Sequence, residues 1–319
     1  ERNFPFAELR LLASKRSAGK EIAFMGKTYT VEEATFDSFK GIDIALFAGG
    51  SISKDFAPHA VKAGAVVIDN SSAFRMDPEV PLVVPEVNPQ AILKHKGIIA
   101  NPNCSTIIMV MALKPIYDLA KIKRVIVSTY QAVSGAGKEG IDELDAQVRE
   151  HSEGREMTAN ILPSSSAEKH YPIAFNLIPQ IDVFCDNLYT KEEMKMVNET
   201  KKIMEDYEMR ITATTIRVPV YRSHSESVNI ELEKEVDLGA MREALAKFPG
   251  VTVQDDPSKQ EYPMPLYTSE KDDVYVGRLR RDESCEKSYN MWVVGDQIRK
   301  GAALNTLQIA ETMIKNGWI

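Results

Sequence analysis

Short apolar runs, each closed by a small or polar residue, recur through the first hundred positions of this 319-residue chain. Leu9 to Ser14, Ile42 to Ala48, Ala63 to Ile68 and Gly97 to Ala100 read as buried strands, and Pro81 to Val84 as a short extended piece. Continuous apolar strands separated by helical stretches predict a doubly wound parallel sheet covered on both faces. Beyond residue 120 the pattern changes. Val125 to Tyr130, Ile211 to Tyr221, Ser225 to Leu232, Val274 to Arg280 and Tyr289 to Val294 read as strands, with a helix near 237–248. Strands in succession predict a mixed, largely antiparallel sheet with helices on one face. Gly301 to Lys315 is an amphipathic helix, and the polar segment 149–170 reads as an excursion over the surface or against a partner subunit.

Composition narrows the function classes. The net charge is −7 and no basic stripe interleaves with aromatics, which argues against nucleic acid or an anionic membrane as partner. No apolar run approaches the roughly 20 residues of a membrane span. The three cysteines (Cys104, Cys185 and Cys285) are widely spaced and fit a reducing cytoplasm. The five histidines show no zinc-binding spacing, so no metal is expected.

The chemistry concentrates in a few places. Asn101-Pro102-Asn103-Cys104-Ser105-Thr106 joins a strand-like run to a helix-like one, Ile107 to Leu113. A cysteine there starts a helix, whose N-terminal partial charge favours the nucleophilic thiolate. Asn103, Ser105 and Thr106 supply donors or a cap. The competing reading is a small buried cysteine in a βα turn. His224 sits between two strands, either as a solvated turn residue or as the acid/base partner of a distant cysteine. Arg217, on a strand, suits a carboxylate or a surface ion pair. Arg75 follows a parallel strand, where open α/β sheets bind ligands. Glu192 and Lys195 lie one helical turn apart and either face a site or pair on a wet helix face. After the first strand, Ser14-Lys15-Arg16-Ser17 offers hydroxyls and bases where an NAD-binding fold places an acid for the ribose. That favours the 2′-phosphate of NADP. A cofactor-free Cys-His acyl transferase and a non-enzymatic interaction module remain open at this level.

The ordered set NPNCSTI, STYQAVSGAG, EExK, IRVPVYRSHSES and KGAALNTLQIAE, with LLASKRSAGK, DNSSAFR and PLVVPEVN before it, resembles the aspartate-semialdehyde dehydrogenases of the Gram-positive-type bacterial branch along essentially the whole chain. The resemblance implies a Rossmann-like NADP-binding domain over 1–103, completed by a C-terminal helix over 301–319. A catalytic and dimerisation domain would span 104–300. It implies reversible, NADP-dependent conversion of L-4-aspartyl phosphate to L-aspartate 4-semialdehyde through a Cys104 thioester. That reaction serves the synthesis of lysine (through diaminopimelate), threonine, methionine and isoleucine. The implied roles are Cys104 as nucleophile, Gln131 orienting the intermediate and His224 as general acid/base. Arg217 and Glu192 would hold the aspartyl carboxylate and ammonium, and Arg75, Lys195 and Asn103 the phosphate. Ser14, Arg16 and Ser17 would contact the NADP 2′-phosphate, with Gly137 and Asn305 near the nicotinamide. A cytoplasmic homodimer or homotetramer is expected. One departure stands out. Glu1 to Pro5 reads as the end of a first helix and no GxGxxG lies nearby, so about 20–25 residues, one glycine-rich βα unit, are expected to be absent.

Overall fold

The computed structural model describes residues 2–319, and they divide into two compact units. The first comprises residues up to Pro81 with Gln90–Ala100 and Thr306–Ile319; the second comprises Leu82–Pro89 and Asn101–Asn305. Asn101–Asn103 and the segment 82–89 fall in the second unit together with Cys104, whereas the expected division ran 1–103 and 104–300.

The first unit holds β1 (Leu11–Ala13), β2 (Glu21–Phe24), β3 (Lys27–Glu33), β4 (Ile44–Phe47), α1 (Ser53–Lys62), β5 (Val66–Asp69) and β6 (Ile98–Ala100). They form two three-stranded sheets. The parallel sheet β4-β5-β6 is the predicted kind, with Val67 and Ile68 fully buried. In the other, β1 pairs with β3 in parallel and β3 with β2 in antiparallel. The β2–β3 hairpin was not anticipated. It turns through Met25 (φ 49°) and Gly26 (φ 74°), and two successive positive φ angles match the right-handed twist of the flanking strands. The predicted piece at Pro81–Val84 is extended but forms no strand. The run Ala63–Ile68 begins just past the end of α1 and becomes strand only at Val66.

The second unit holds α2 (Cys104–Leu119), β7 (Ile122–Gln131), α3 (Lys138–Ser152), α4 (Lys191–Met204), β8 (Arg210–Arg217), β9 (His224–Leu232), α5 (Leu238–Lys247), β10 (Val251–Val253), α6 (Pro265–Thr268), β11 (Val274–Arg281) and β12 (Ser288–Gly295). Its strands form one mixed sheet, ordered β10-β11-β12-β9-β7-β8. The inner pairings β11–β12, β12–β9 and β9–β7 are antiparallel, and the outer pairings are parallel. Strand alternation places His224, Glu226, Val228, Ile230 and Leu232 on the buried face of β9, against exposed Ser227 and half-buried Asn229 and Glu231. Helix α2 packs on β7, β9 and β12 and against α4 and α5. That contact explains its hydrophobicity on all sides: Ser105 through Leu113 are buried without interruption. The polar excursion begins later than expected, because α3 runs through Ser152.

The C-terminal helix α7 spans Leu304–Lys315. It is preceded by a wide π-turn, Arg299–Ala303, in which Gly301 and Ala303 donate to Asp296 and Ile298, five residues back. Single π-turns recur at functional sites. The expected start of this helix at Gly301 therefore falls inside the π-turn.

Candidate active site

Cys104 is the first residue of α2. Asn103 caps the helix: its backbone is extended (ψ 144°) and its Oδ1 accepts from the Thr106 N–H at 3.1 Å. Asn103 is itself held twice from α4. Its backbone N–H donates to Glu199 at 2.6 Å, and its Nδ2 donates to Glu192 at 2.9 Å. The wall behind the cysteine is the π-turn, where a side chain at Gly301 would meet Cys104 Cβ at 2.9 Å. That position must stay small for the cysteine turn to lie where it does.

Glu192 and Lys195 lie in the opening turns of α4, fixed by a reciprocal capping box between Thr190 and Glu193. Glu192 is 5 % exposed, accepts from Asn103 and Gln131 and pairs with Lys195 at 3.1 Å. Burial works to raise its pKa, but Lys195, Asn103 and Arg217 outweigh that effect and hold the carboxyl below its ordinary value. Burial likewise works to lower Lys195, yet the charges of Glu192 and Asp182 raise it on balance. The helix-face ion pair considered from the sequence exists. It is extended to Asp182 at 3.0 Å, and only its Glu192 end is buried, Lys195 and Asp182 being partly exposed.

Arg217 ends β8 and His224 begins β9; the polar corner between them is 218–223, longer than the pattern suggested, because β8 stops at Arg217 rather than Tyr221. Both side chains are buried and both rest on the backbone of one residue, Ala132. The Ala132 carbonyl accepts from Arg217 Nη1 at 2.7 Å, and the Ala132 N–H donates to His224 Nδ1 at 3.1 Å. Arg217 Nε has no acceptor among the protein's own groups. A buried guanidinium donor in that condition calls for an anionic ligand. Arg217 also interacts electrostatically with Cys104 and Glu192, although burial is the larger effect and lowers its pKa. Gly135 makes the cluster possible: a side chain there would meet Arg217 Nη1 at 2.6 Å and His224 Cε1 at 3.4 Å. Ser223, just before the histidine, is held at φ 71° while its N–H donates to Gln297. A non-glycine residue with positive φ beside a functional group is strain that the surroundings must maintain.

The second unit thus gathers Cys104, Asn103, Gln131, Glu192, Lys195, Arg217 and His224 into one connected cluster. Arg75 belongs to the first unit, where it is buried past the end of β5 and donates to the Asn70 carbonyl at 3.1 Å. Ser14, Lys15 and Arg16 are exposed and Ser17 half-buried, in a turn after β1 closed by the Ser17 N–H on the Ser14 carbonyl. Gly137 caps α3 at φ 84° with open space where a side chain would lie. Asn305 is fully buried. Its amide nitrogen donates to Asn101 and the Val83 carbonyl, and its oxygen accepts from Lys300. Its side chain thus serves a protein network first, and any contact with a nicotinamide falls to what that network leaves over.

Sequence reasoning passed over several members. The backbone of Ala132 carries no side-chain signature. Gly135, Gly301 and Lys300 lie inside the SGAG and KGAALN strings and could have been weighed for close approach. Lys300 is 1 % exposed and pairs with Glu86 at 2.5 Å. Glu226 lies in the HSE string beside His224 and was not singled out. It is fully buried, opposite Thr129 on β7 and Val293 on β12, with no partner for either carboxylate oxygen. Burial pushes its pKa well above 4.5. A carboxyl that holds its proton more tightly when folded stabilises fully below the unfolded pKa, and that stability is lost as pH rises through the folded value. Glu226→Gln is therefore expected to flatten the decline of stability between about pH 5 and 8 and to raise Tm at pH 8 by roughly 2–4 °C. Thermal melts across that range check this, and an unchanged slope would show that Glu226 is not the source.

Comparisons with known proteins identify the family. The family profile "Semialdehyde dehydrogenase, NAD binding domain" matches residues 1–95, and "Semialdehyde dehydrogenase, dimerisation domain" matches 113–300. The chain is 57 % identical to the aspartate-semialdehyde dehydrogenase of Aquifex aeolicus, over all of this chain and 93 % of that protein. It is 54 % identical to that of Bacillus subtilis, over 99 % and 92 %. Among solved structures, aspartate semialdehyde dehydrogenase II of Vibrio cholerae complexed with ASA matches with a TM-score of 0.93 at 47 % identity, covering 99 % of this chain and 92 % of that one. The chain belongs to the aspartate-semialdehyde dehydrogenase family.

Proposed function

We propose that this chain performs the family's reaction, the reversible reductive dephosphorylation of L-4-aspartyl phosphate to L-aspartate 4-semialdehyde, with Cys104 as the nucleophile. The observation that carries the residue assignment is the buried guanidinium of Arg217. It has a donor left over and lies in the same cluster as a helix-N-terminal cysteine and a buried histidine. Such a cluster binds a small carboxylate and presents a thiolate to it.

In this reading Arg217 and Glu192 hold the carboxylate and ammonium of the aspartyl skeleton, and Gln131 orients the acyl group. Arg75, Lys195 and Asn103 hold the phosphate. The Cys104 thiolate attacks the acyl carbon, a C–S bond forms, and the C–O bond to phosphate breaks. His224 serves as the general acid/base at the oxygen that gains charge. A nicotinamide cofactor, when bound, supplies the hydride that reduces the resulting thioester. The donor set of the turn after β1, with two hydroxyls and Arg16, fits a phosphate better than a ribose diol, so NADP is preferred over NAD. Gly137, with its open φ-positive backbone at a helix start, suits the close approach of a ligand.

Phosphate-dependent formation of NADPH from L-aspartate 4-semialdehyde, followed by absorbance, tests the function directly. Its absence would reject this reading in favour of cofactor-free acyl transfer. For the cofactor, a variant with alanine at Ser14, Arg16 and Ser17 is expected to lose about tenfold to a hundredfold in kcat/KM for NADP, with little change for NAD. A variant that still strongly prefers NADP would place the 2′-phosphate elsewhere. The second unit matches a dimerisation domain, and a homodimer is the assembly we expect; sedimentation of the full chain measures it. No helix among the described residues is long and apolar enough to cross a membrane.

A further inference from the structure

Lys300 is a buried cation that the chemistry above does not use. It lies in the π-turn, next to the Gly301 that backs Cys104, and it is 1 % exposed. A buried ammonium needs a counter-charge and acceptors. Glu86, in the segment 82–89, supplies the charge at 2.5 Å, and Asn305 Oδ1 accepts from Lys300 Nζ at 3.0 Å. The second bond fixes which way the Asn305 amide faces. Turned over, its NH2 would meet the ammonium, and its oxygen would meet the Val83 carbonyl and Asn101 Oδ1. As it stands, Asn305 Nδ2 donates to the Val83 carbonyl at 2.9 Å and to Asn101 Oδ1 at 2.7 Å. Asn101 is fully buried and opens the turn that ends at Cys104. A relay of hydrogen bonds thus runs from Glu86 through Lys300 and Asn305 to the start of the cysteine turn, and every member belongs to the second unit. The other end of that turn is held from α4, through Asn103.

We propose that Lys300 is a positioning residue for Cys104: paired with Glu86, its ammonium locks the Asn305 amide, which holds Asn101 and so fixes the turn that presents the thiol. The proposal rests on Cys104 being the nucleophile. Lys300 touches neither the sulfur nor the substrate in this arrangement; it acts through the amides. The π-turn gives it a second point of purchase. Its side chain reaches Asn305, while the backbone of the next residue forms the wall where a side chain would meet Cys104 Cβ at 2.9 Å. Without the ammonium the Asn305 amide loses what orients it, and Asn101 loses a directed donor. A nucleophile displaced by about 1 Å costs on the order of a hundredfold in rate. The groups assigned to the substrate's charges in the second unit, Arg217, Glu192 and Lys195, stand on β8 and α4 and do not depend on the relay. Loss of Lys300 therefore falls on kcat and spares KM.

The test is the full chain carrying Lys300→Met together with Glu86→Leu. Removing both halves of a buried ion pair spares stability far better than removing one, so Tm should stay within about 5 °C of the parent. Turnover per folded protein is expected to fall at least about fivefold, with KM for L-aspartate 4-semialdehyde and for the cofactor within about threefold. A smaller fall in kcat, or a loss carried by KM, would overturn the proposal, since a merely structural pair is dispensable once both halves are gone. Asn101→Ala completes a cycle. A relay predicts that adding it to the paired replacement costs less than about twofold more, whereas losses that multiply would show two independent effects. Lys300→Met alone enters the same cycle if the paired replacement does not fold. NMR gives a readout that needs no turnover. Hydrogen exchange at the Asn305 side-chain amide should be at least about tenfold faster in the variant than in the parent, and unchanged exchange would reject the relay. If alkylating Cys104 with iodoacetamide leaves turnover intact, the nucleophile assignment fails, while the amide exchange still decides whether Lys300 holds Asn305.

Discussion

Replacing Cys104 with serine is expected to lower turnover by on the order of 10⁴-fold while the protein stays folded. The two side chains are nearly the same size, and the close wall at Gly301 accepts either. What changes is the nucleophile. A helix N-terminus and a buried arginine can bring a thiol to its thiolate near neutral pH, but a hydroxyl lies many pH units beyond their reach. Binding of the nicotinamide cofactor should persist, because the turn proposed to hold its 2′-phosphate belongs to the other compact unit and the substitution changes one atom. Steady-state kinetics beside a thermal melt separate the two effects. Turnover within tenfold of the parent, at unchanged Tm, would exclude the thioester route.

Arg217→Lys is expected to raise KM for the aspartyl substrate by roughly a hundredfold, with a smaller fall in kcat. The charge is kept, so the electrostatic support of Glu192 and Cys104 survives in part. The planar fork is lost, and with it the ability to bind Ala132 and a carboxylate with separate nitrogens. Truncation to a neutral residue would instead leave Glu192 beside one cation fewer in a buried site, mixing misfolding with weak binding. Lysine is therefore the more informative substitution. An unchanged KM would remove Arg217 from the carboxylate site.

Much of this was legible in the chain. The Asn103 cap and the start of α2 at Cys104 follow from a polar turn before an apolar run. The capping box that presents Glu192 follows from Thr190 and Glu193 three residues apart. The inward face of β9 follows from strict alternation beyond Ser227. Other elements were misread for local reasons. The β2–β3 hairpin has mostly exposed strands and so no hydrophobic alternation to announce it. The C-terminal helix begins with a π-turn that periodicity at 3.6 residues per turn cannot distinguish from its continuation.

The sequence by itself determined the residue types available for chemistry, the helix starts that present Cys104 and Glu192, and the two kinds of sheet. Each of these depends on neighbours within a few residues, where caps and hydrophobic periods act. Only the tertiary structure decided that Ala132, through its C=O and its N–H, joins Arg217 to His224, that Gly135 and Gly301 leave room for them and for the cysteine, and that Glu226 is buried without a partner. Those facts depend on strand register across about ninety residues of chain, where a shift of one position turns every side chain to the opposite face.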